Sequence, residues 1–391
     1  MAARPLNVAP AGPLALPDTG LGRGWEPGVL MAVTLLLFAF GLVTLSSATT
    51  FLVHRAGAGA THYVLQQAIG GALGLAVLVI CSRIPYHWWR NLAWPILGFT
   101  WVLLIIVILP GTEAIAPEVN GARRWLLLPG GRIQPSDLAK LAVVIWTAAL
   151  AVKKQPQFKS LSKGMMPFLL VWAVVLLPVA KEDFSTACMI GIVGATVLFA
   201  AGGRIGHFIL LGCLMAPLVL GKLGSGFRQG RIQVFLNPGS DPSGAGYQVG
   251  QSILAMGSGG VFGVGFGEGR QKYGFLPESH NDFIFAMVGE EWGLLGVLFL
   301  VGLYLTLILV GFRVARRAPD LFGELLAIGI TSLIALHAIL HMGVGLGLVP
   351  ATGLALPLIS YGRSNLVVTM AAMGILMAIA RQQPDLGRDR G

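Results

Sequence analysis

Charge is what this chain has least of. Only 11% of its 391 residues are Asp, Glu, Lys or Arg, against about a quarter in an ordinary soluble domain. A water-soluble globule of this length cannot cover its surface with so few charges. Cysteine is also scarce: Cys81, Cys188 and Cys213 lie far apart, in apolar runs and without metal-ligand spacing. That argues against a disulfide framework and for small buried hydrophobes. Acidic residues are the rarer sign, 17 against 27 Lys and Arg, for a net charge of +10. In a membrane-embedded chain this excess points to anionic head groups or phosphate-bearing ligands ahead of nucleic acid. What remains is 55% apolar and carries 54 glycines. Those figures exclude disorder and a coiled coil, and predict an all-α integral membrane protein.

Apolar runs predict about ten transmembrane helices, near 29–49, 63–82, 93–109, 136–152, 164–180, 186–203, 205–221, 283–312, 321–344 and 366–380. Residues 1–28 hold five prolines and no periodicity, and read as an N-terminal tail. The first run is too long for a signal-peptide core and reads as a retained signal anchor. The domain plan is a cytoplasmic tail 1–28, a membrane domain 29–381 and a cytoplasmic tail 382–391. A large extracytoplasmic loop, 222–281, separates spans 7 and 8.

With the N-terminus inside, the cytoplasmic segments carry fifteen Lys and Arg, and the short outer loops only Arg55, Lys181 and Arg363. This is a clear positive-inside pattern. Two longer outer segments depart from it. Residues 110–135 carry Arg123, Arg124 and Arg132, and residues 222–281 carry Lys222, Arg228, Arg231, Arg270 and Lys272. Long outer loops can be basic without inverting topology, yet eight cations on one face need a reason.

The large loop opens with turn formers Asn237, Pro238, Asp241 and Pro242. Val249, Ile253 and Met256 then mark a short helix at or just below the membrane surface. The glycine run 257–269 lacks the strand and βαβ unit of a dinucleotide fingerprint. It reads as a close-packed turn, with phosphate binding by its backbone the minority reading. Asp282 follows at about the N-cap of the eighth span. It is either a helix cap or a general base beside Glu278 and His280. Ala286, Gly289, Gly293 and Gly296 share its helix face, as a packing stripe or as the wall of a lipid groove. Glu291 points to the opposite face and needs a separate partner.

In the loop before span 4, Asn120-Gly121 forms a turn and Trp125 an interfacial anchor. Asp137 and Lys140 share one face of span 4, about a turn below the outer surface. An ammonium at that depth requires a counter-charge. Lys140 pairs either with Asp137 or with Asp282. His337 and His341, at i and i+4, read as packed, hydrogen-bonded histidines. Pro357 and Gly362 break the run before span 10, where Ser360, Tyr361 and Arg363 face an outer cavity.

Six stretches carry a family resemblance: 120–126 (NGARRWL), 134–141 (QPSDLAKL), 227–238 (FRQGRIQVFLNP), 246–260 (GYQVGQSILAMGSGG), 271–291 (QKYGFLPESHNDFIFAMVGEE) and 346–362 (LGLVPATGLALPLISYG). By these the chain resembles the FtsW/RodA/SpoVE (SEDS) cell-wall polymerases, with a lean to the FtsW branch. The resemblance implies ten spans in the bacterial cytoplasmic membrane and a peptidoglycan glycosyltransferase acting on lipid II at the outer face. It implies a class B penicillin-binding protein as partner. The family's catalytic aspartate falls on Asp282 and its lysine on Lys140, with Asp137 in place of the usual glutamate. Residues 181–187 (KEDFSTA), 341–347 (HMGVGLG) and Arg363 depart from the family pattern.

Such a reaction needs a base for the attacking hydroxyl and positive charge for the departing diphosphate. Asp282 is the expected base and Lys140 its electrostatic partner. Arg123, Arg124, Arg228, Arg231, Lys272 and Arg363 are the candidate diphosphate or saccharide contacts. Asp137, Glu278, His280, Ser360 and Tyr361 line the same expected site. A divalent cation, Mg or Mn, is a further candidate for charge stabilisation. A lipid II flippase and a non-catalytic scaffold for a transpeptidase are the alternative functions.

Overall fold

Inside a bilayer an apolar run satisfies its backbone by coiling into a helix, and the computed structural model places helices on the apolar runs. It describes residues 24–51, 62–119, 121–128, 131–158, 160–223, 227–237, 241 and 244–382. The first three helices are α1 (Glu26–Ala48), α2 (His62–Arg83) and α3 (His87–Ile108). Then come α4 (Pro135–Lys154), α5 (Met166–Glu182), α6 (Phe184–Ala200) and α7 (Ile205–Leu223). The short helices α8 (Phe227–Leu236) and α9 (Ala245–Ser258) precede α10 (Ile284–Arg316), α11 (Leu321–Gly345) and α12 (Arg363–Arg381).

Among the described residues, eight helices are long and apolar enough to cross a membrane, and α6 and α7 are shorter apolar helices. The chain is an all-helical polytopic membrane protein. Of the tails, 1–23 and 383–391 lie outside the described residues, as do Asn120, Pro238 and Pro242. The side chains of Lys222 and Arg228 also fall outside them.

Helices α4 and α12 form the centre, each about 78% buried within its span, whereas α3 is 28% buried. Small residues allow this. Ala139, Ala142, Ala148 and Ala151 of α4 are fully enclosed, and Gly374 of α12 leaves no room for a Cβ beside the Leu78 carbonyl of α2. The outer helices expose large apolar side chains, Phe99, Leu177 and Leu210 among them, as lipid-facing surfaces do. Cys213 is exposed too, which corrects the expectation that all three cysteines are buried.

Several boundaries differ from expectation. Helix α1 starts at Glu26, three residues early, because Pro27 suits a first turn. Glu26 is buried there and accepts from Arg313 Nε at 2.9 Å and Arg317 at 3.0 Å, tying the start of α1 to the end of α10. Between α3 and α4 the chain forms an antiparallel hairpin, β1 (Leu126–Leu128) and β2 (Gly131–Ile133). Strands this short leave no periodicity to read.

The largest departure lies in α10, which is broken at Gly293 (φ 63°, ψ −161°), a conformation essentially confined to glycine. The N–H groups of Leu294 and Leu295 donate to Gly260 and Val261 carbonyls at 3.0 and 3.2 Å. In exchange the Glu290 and Glu291 carbonyls accept from Val264 and Gly265 N–H at 3.0 and 3.2 Å. The glycine loop thus replaces the hydrogen bonds that the break removes. It approaches closely enough that a Cβ on Gly263 (φ 79°) would lie 2.2 Å from the Glu291 oxygen. The small-residue stripe of α10 is therefore a packing surface for this loop and for Met256 of α9, which meets Gly289.

Candidate active site

Asp282 sits in the turn Glu278–Phe283, just ahead of α10, whose N-cap is Phe283 and makes no side-chain cap bond. The expected capping role is thereby corrected: Asp282 precedes the cap. Phe283 and Asn281 N–H donate to the Glu278 carbonyl at 3.3 and 3.0 Å, which closes the turn. Glu278 adopts φ 54° to do so. The other described non-glycine residue with positive φ is Leu358 at 67°, in the segment that packs on this turn. One strained residue thus lies in the turn itself and the other in the segment that holds it.

A second loop fixes the turn from the side. Ser360 Oγ donates to the Asn281 carbonyl at 2.7 Å and accepts from Leu356 N–H at 2.9 Å. Tyr361 N–H donates to the His280 carbonyl at 3.1 Å. Gln67 of α2 holds the same loop, donating to the Ser360 carbonyl at 3.0 Å and accepting from Gly362 N–H at 3.1 Å. The rings of Tyr63, His280 and Tyr361 meet pairwise at centroid distances of 5.3 to 5.9 Å.

Asp282 is half-buried, and a Cβ on Gly353 would lie 3.7 Å from its Oδ2. Loss of solvent pushes its carboxyl up to about 6, and the Glu278 charge adds to that. Arg231 and Arg124 act the other way, while Asp183 raises it further. Arg231 donates to the Ala351 carbonyl at 2.9 Å. Arg124 Nε donates to the Glu182 carbonyl at 3.0 Å and lies 3.9 Å from Asp183. Asp183 itself caps α6, accepting from Thr186 N–H at 3.0 Å. Burial lowers His280 towards the neutral imidazole, with Glu278 opposing that at 4.0 Å. Burial raises Tyr361, against the charges of Arg363 and Arg132. The site therefore offers a carboxylate poised to take a proton, a phenol, a neutral imidazole and guanidinium groups from separate segments.

Not every expected residue joins it. Lys140 Nζ donates to Asp137 Oδ1 at 2.8 Å, and both side chains are buried on α4. Of the two pairings open in the sequence, the structure forms this one, and the cations acting on Asp282 are Arg231 and Arg124. Lys272 is corrected from substrate contact to structural anchor. It is 3% exposed, and its ammonium bonds Ser47 Oγ at 2.8 Å, Glu291 Oε1 at 3.1 Å and the Gly267 carbonyl. These bonds also supply the separate partner expected for Glu291.

Arg123 is likewise committed, to Glu113 at 2.7 Å and the Leu109 carbonyl at 3.4 Å. Ser360 is 3% exposed and ties loops together, which corrects its expected substrate role. Arg363 begins α12 and packs over Gly70 and Gly131. Of Arg228 only the backbone, on α8, is described. His341 Nδ1 lies 2.7 Å from the Leu354 carbonyl, and both histidines of α11 are buried. Among the described residues no three His, Cys, Asp or Glu side chains converge as a metal site.

The sequence did not single out Tyr63, Asp183, Arg132 or Thr352 for the site. Thr352 lies between Ala351 and Gly353, and its hydroxyl is buried without a partner among the described residues. Arg132 had a signal in its GGRIQP hairpin, whereas Tyr63 had none.

Residues 28–385 match the FtsW/RodA/SpoVE family, described as cell cycle proteins. The chain belongs to that family. A probable peptidoglycan glycosyltransferase FtsW from Geobacter metallireducens is 41% identical over 354 residues, 90% of this chain and 94% of that one. A solved peptidoglycan synthase complex, in which polymerization and crosslinking are coordinated, contains a chain 26% identical. Its TM-score is 0.76, over 93% of this chain and 100% of the other. The rod shape determining protein RodA of Thermus thermophilus has a TM-score of 0.66 over 94% of this chain and 100% of its own, at 24% identity, a likeness of fold alone. Membership covers nearly the whole membrane region, Asp282 and its surroundings included.

Proposed function

We propose that this chain is a peptidoglycan glycosyltransferase that polymerises lipid II at the outer face of the bacterial cytoplasmic membrane, with Asp282 as general base. The name of the Geobacter relative supports the reaction and the division branch. The observation that carries the assignment is a half-buried carboxyl in a turn held by Ser360 and Tyr361, pushed up to about 6 by loss of solvent and acted on by the charges of Arg231 and Arg124. At neutral pH it is mostly ionised yet basic enough to take a hydroxyl proton in a transition state.

In the reaction, a saccharide hydroxyl of one lipid II attacks the anomeric carbon of a second glycan. A carbon–oxygen bond forms there as the bond to the lipid diphosphate breaks, with inversion to a β-1,4 link. Asp282 receives the hydroxyl proton. Arg124 and Arg231 stabilise the charge gathering on the diphosphate. His280, whose Nδ1 is buried without a partner among the described residues, contacts saccharide together with Glu278, Tyr361, Thr352 and Arg363. The Asp137–Lys140 pair supports the site from below by fixing α4. Holding two lipid-anchored reactants in one site supplies the entropic advantage.

The 15 to 3 charge asymmetry supports cytoplasmic termini and an external segment 222–281. A class B penicillin-binding protein is the proposed partner, supported by the similarity to a synthase complex. The test is to give detergent-solubilised protein fluorescent lipid II, with and without that partner, and separate the products on a gel. A ladder with the wild type and none with Asp282→Asn is the expected result. A ladder from the variant overturns the base assignment. No ladder from the wild type with its partner present favours transport or scaffolding.

A further inference from the structure

A second polar cavity, of about 460 Å³, opens between the first turns of α3 and the last turns of α4. It lies far from Asp282. The start of α4 is level with the active-site loops, since Gln134 N–H donates to Ser364 Oγ at the head of α12. Lys153 comes 18 residues after Pro135 along α4, about 27 Å at 1.5 Å per residue. That distance is close to the roughly 30 Å of a bilayer's hydrocarbon, so the cavity sits at the opposite membrane surface.

Its lining is graded. Arg90 and Trp94 are one turn apart on α3, and Trp146 and Lys153 share a face of α4. Towards the membrane interior are the two indoles, edge to face at a centroid distance of 5.3 Å. Towards the surface are Arg90, Lys153, His87 and the Asn91 amide. Among the described residues no carboxylate lines the cavity. The His87 ring is already bonded to Asp320 at 3.1 Å, whereas Arg90 and Lys153 have no ionic partner among the described residues. Trp146 is 1% exposed, and its indole N–H lacks an acceptor among the described residues. The site thus presents donors and positive charge at its mouth, an unmet donor within, and aromatic walls below.

We propose that this cavity binds the phosphate head group of an anionic phospholipid from the leaflet opposite Asp282. A basic pocket between membrane helices fits such a head group, the cavity has the volume of a ligand site, and the indole walls match the first carbons of the acyl chains. Arg90 and Lys153 take the phosphate charge, and Trp146 N–H donates to a phosphate or ester oxygen. The assignment is independent of the reaction at Asp282.

The test uses the full chain in detergent, titrated with phosphatidylglycerol or phosphatidylcholine, with bound lipid counted by native mass spectrometry. The wild type should retain phosphatidylglycerol over phosphatidylcholine. The Arg90→Gln, Lys153→Gln double variant should lose retention of the anionic lipid by about 30-fold. Trp146→Phe, which keeps an aromatic wall and removes the donor, should lose about 5-fold. It also serves should the double variant fail to fold, as read by its thermal unfolding. Equal retention of the two lipids by the wild type overturns the proposal, as does undiminished retention by the folded variants. Displacement of the lipid by an equal concentration of inorganic phosphate would assign the cavity to soluble anions and overturn the lipid assignment.

Discussion

Ser360 Oγ reaches the Asn281 carbonyl at 2.7 Å, so the residue next to Asp282 is held by a loop 79 positions away in sequence. The same oxygen accepts from Leu356 N–H. Replacing Ser360 with Ala leaves the buried Leu356 N–H unpaired, at about 1–3 kcal/mol, and frees the half-buried Asn281 carbonyl at a smaller cost. The expected outcome is a folded protein with a lower unfolding midpoint and glycan synthesis reduced about 10-fold through misplacement of Asp282. Unchanged synthesis would show that the turn holds its shape without this bond.

The pH profile follows from Asp282. Its proton is bound below about 6 and released above, so lipid II polymerisation should be level near pH 7 and fall as pH drops through that value. Glu278→Gln removes a like charge, lowers the Asp282 pKa and moves the acid limb to lower pH. Arg231→Gln removes a favourable charge and moves it to higher pH. Asp282→Asn abolishes the limb and costs at least about 100-fold in rate. Initial rates of each variant from pH 5 to 8 decide this, and identical limbs for Glu278→Gln and the wild type would contradict it.

The Asp137–Lys140 pair gives a prediction that separates support from catalysis. Its charges are 4% and 7% exposed, and removing either leaves the other buried and uncompensated, at about 3–5 kcal/mol. Lys140→Met and Asp137→Leu should each lower the unfolding midpoint in detergent, and the double variant should recover much of the loss. A Lys140→Met protein as stable as the wild type but without polymerase activity would place the lysine in the chemistry instead.

Gly263 is the most sensitive position expected in the glycine loop. Ala there meets both a φ of 79° and the Glu291 carbonyl, so Gly263→Ala should destabilise by at least about 2 kcal/mol. Gly302, farther along α10, has open space where a Cβ would go. Gly302→Ala should be neutral or stabilising by up to about 1 kcal/mol. Unfolding midpoints of the two purified variants provide the comparison.

The helices were legible because a bilayer leaves an apolar run little choice of structure, and the position of Asp282 was legible through its motif. Its environment was not. Lys272 looked like a loop cation because its partners, Ser47 and Glu291, are 225 and 19 residues away, and only the fold brings them together. Lys140 carried a visible local partner at i−3, and that local pair is the one that forms. The hairpin at 126–133 and the break at Gly293 escaped notice for opposite reasons. The first is too short to have a period, and the second rests on bonds to residues 260–265, which only the fold brings alongside.

The interruption at Gly293 also passes to the glycine loop a constraint that a continuous rod would impose by itself. Inserting one residue into an unbroken α-helix turns everything beyond it by about 100°. Here Glu290 and Glu291 before the break and Leu294 and Leu295 after it all bond to residues 260–265. The angle between the two halves of α10 is thus set by the glycine loop, and a single deletion between 260 and 265 would turn one half against the other and misdirect the carboxylate.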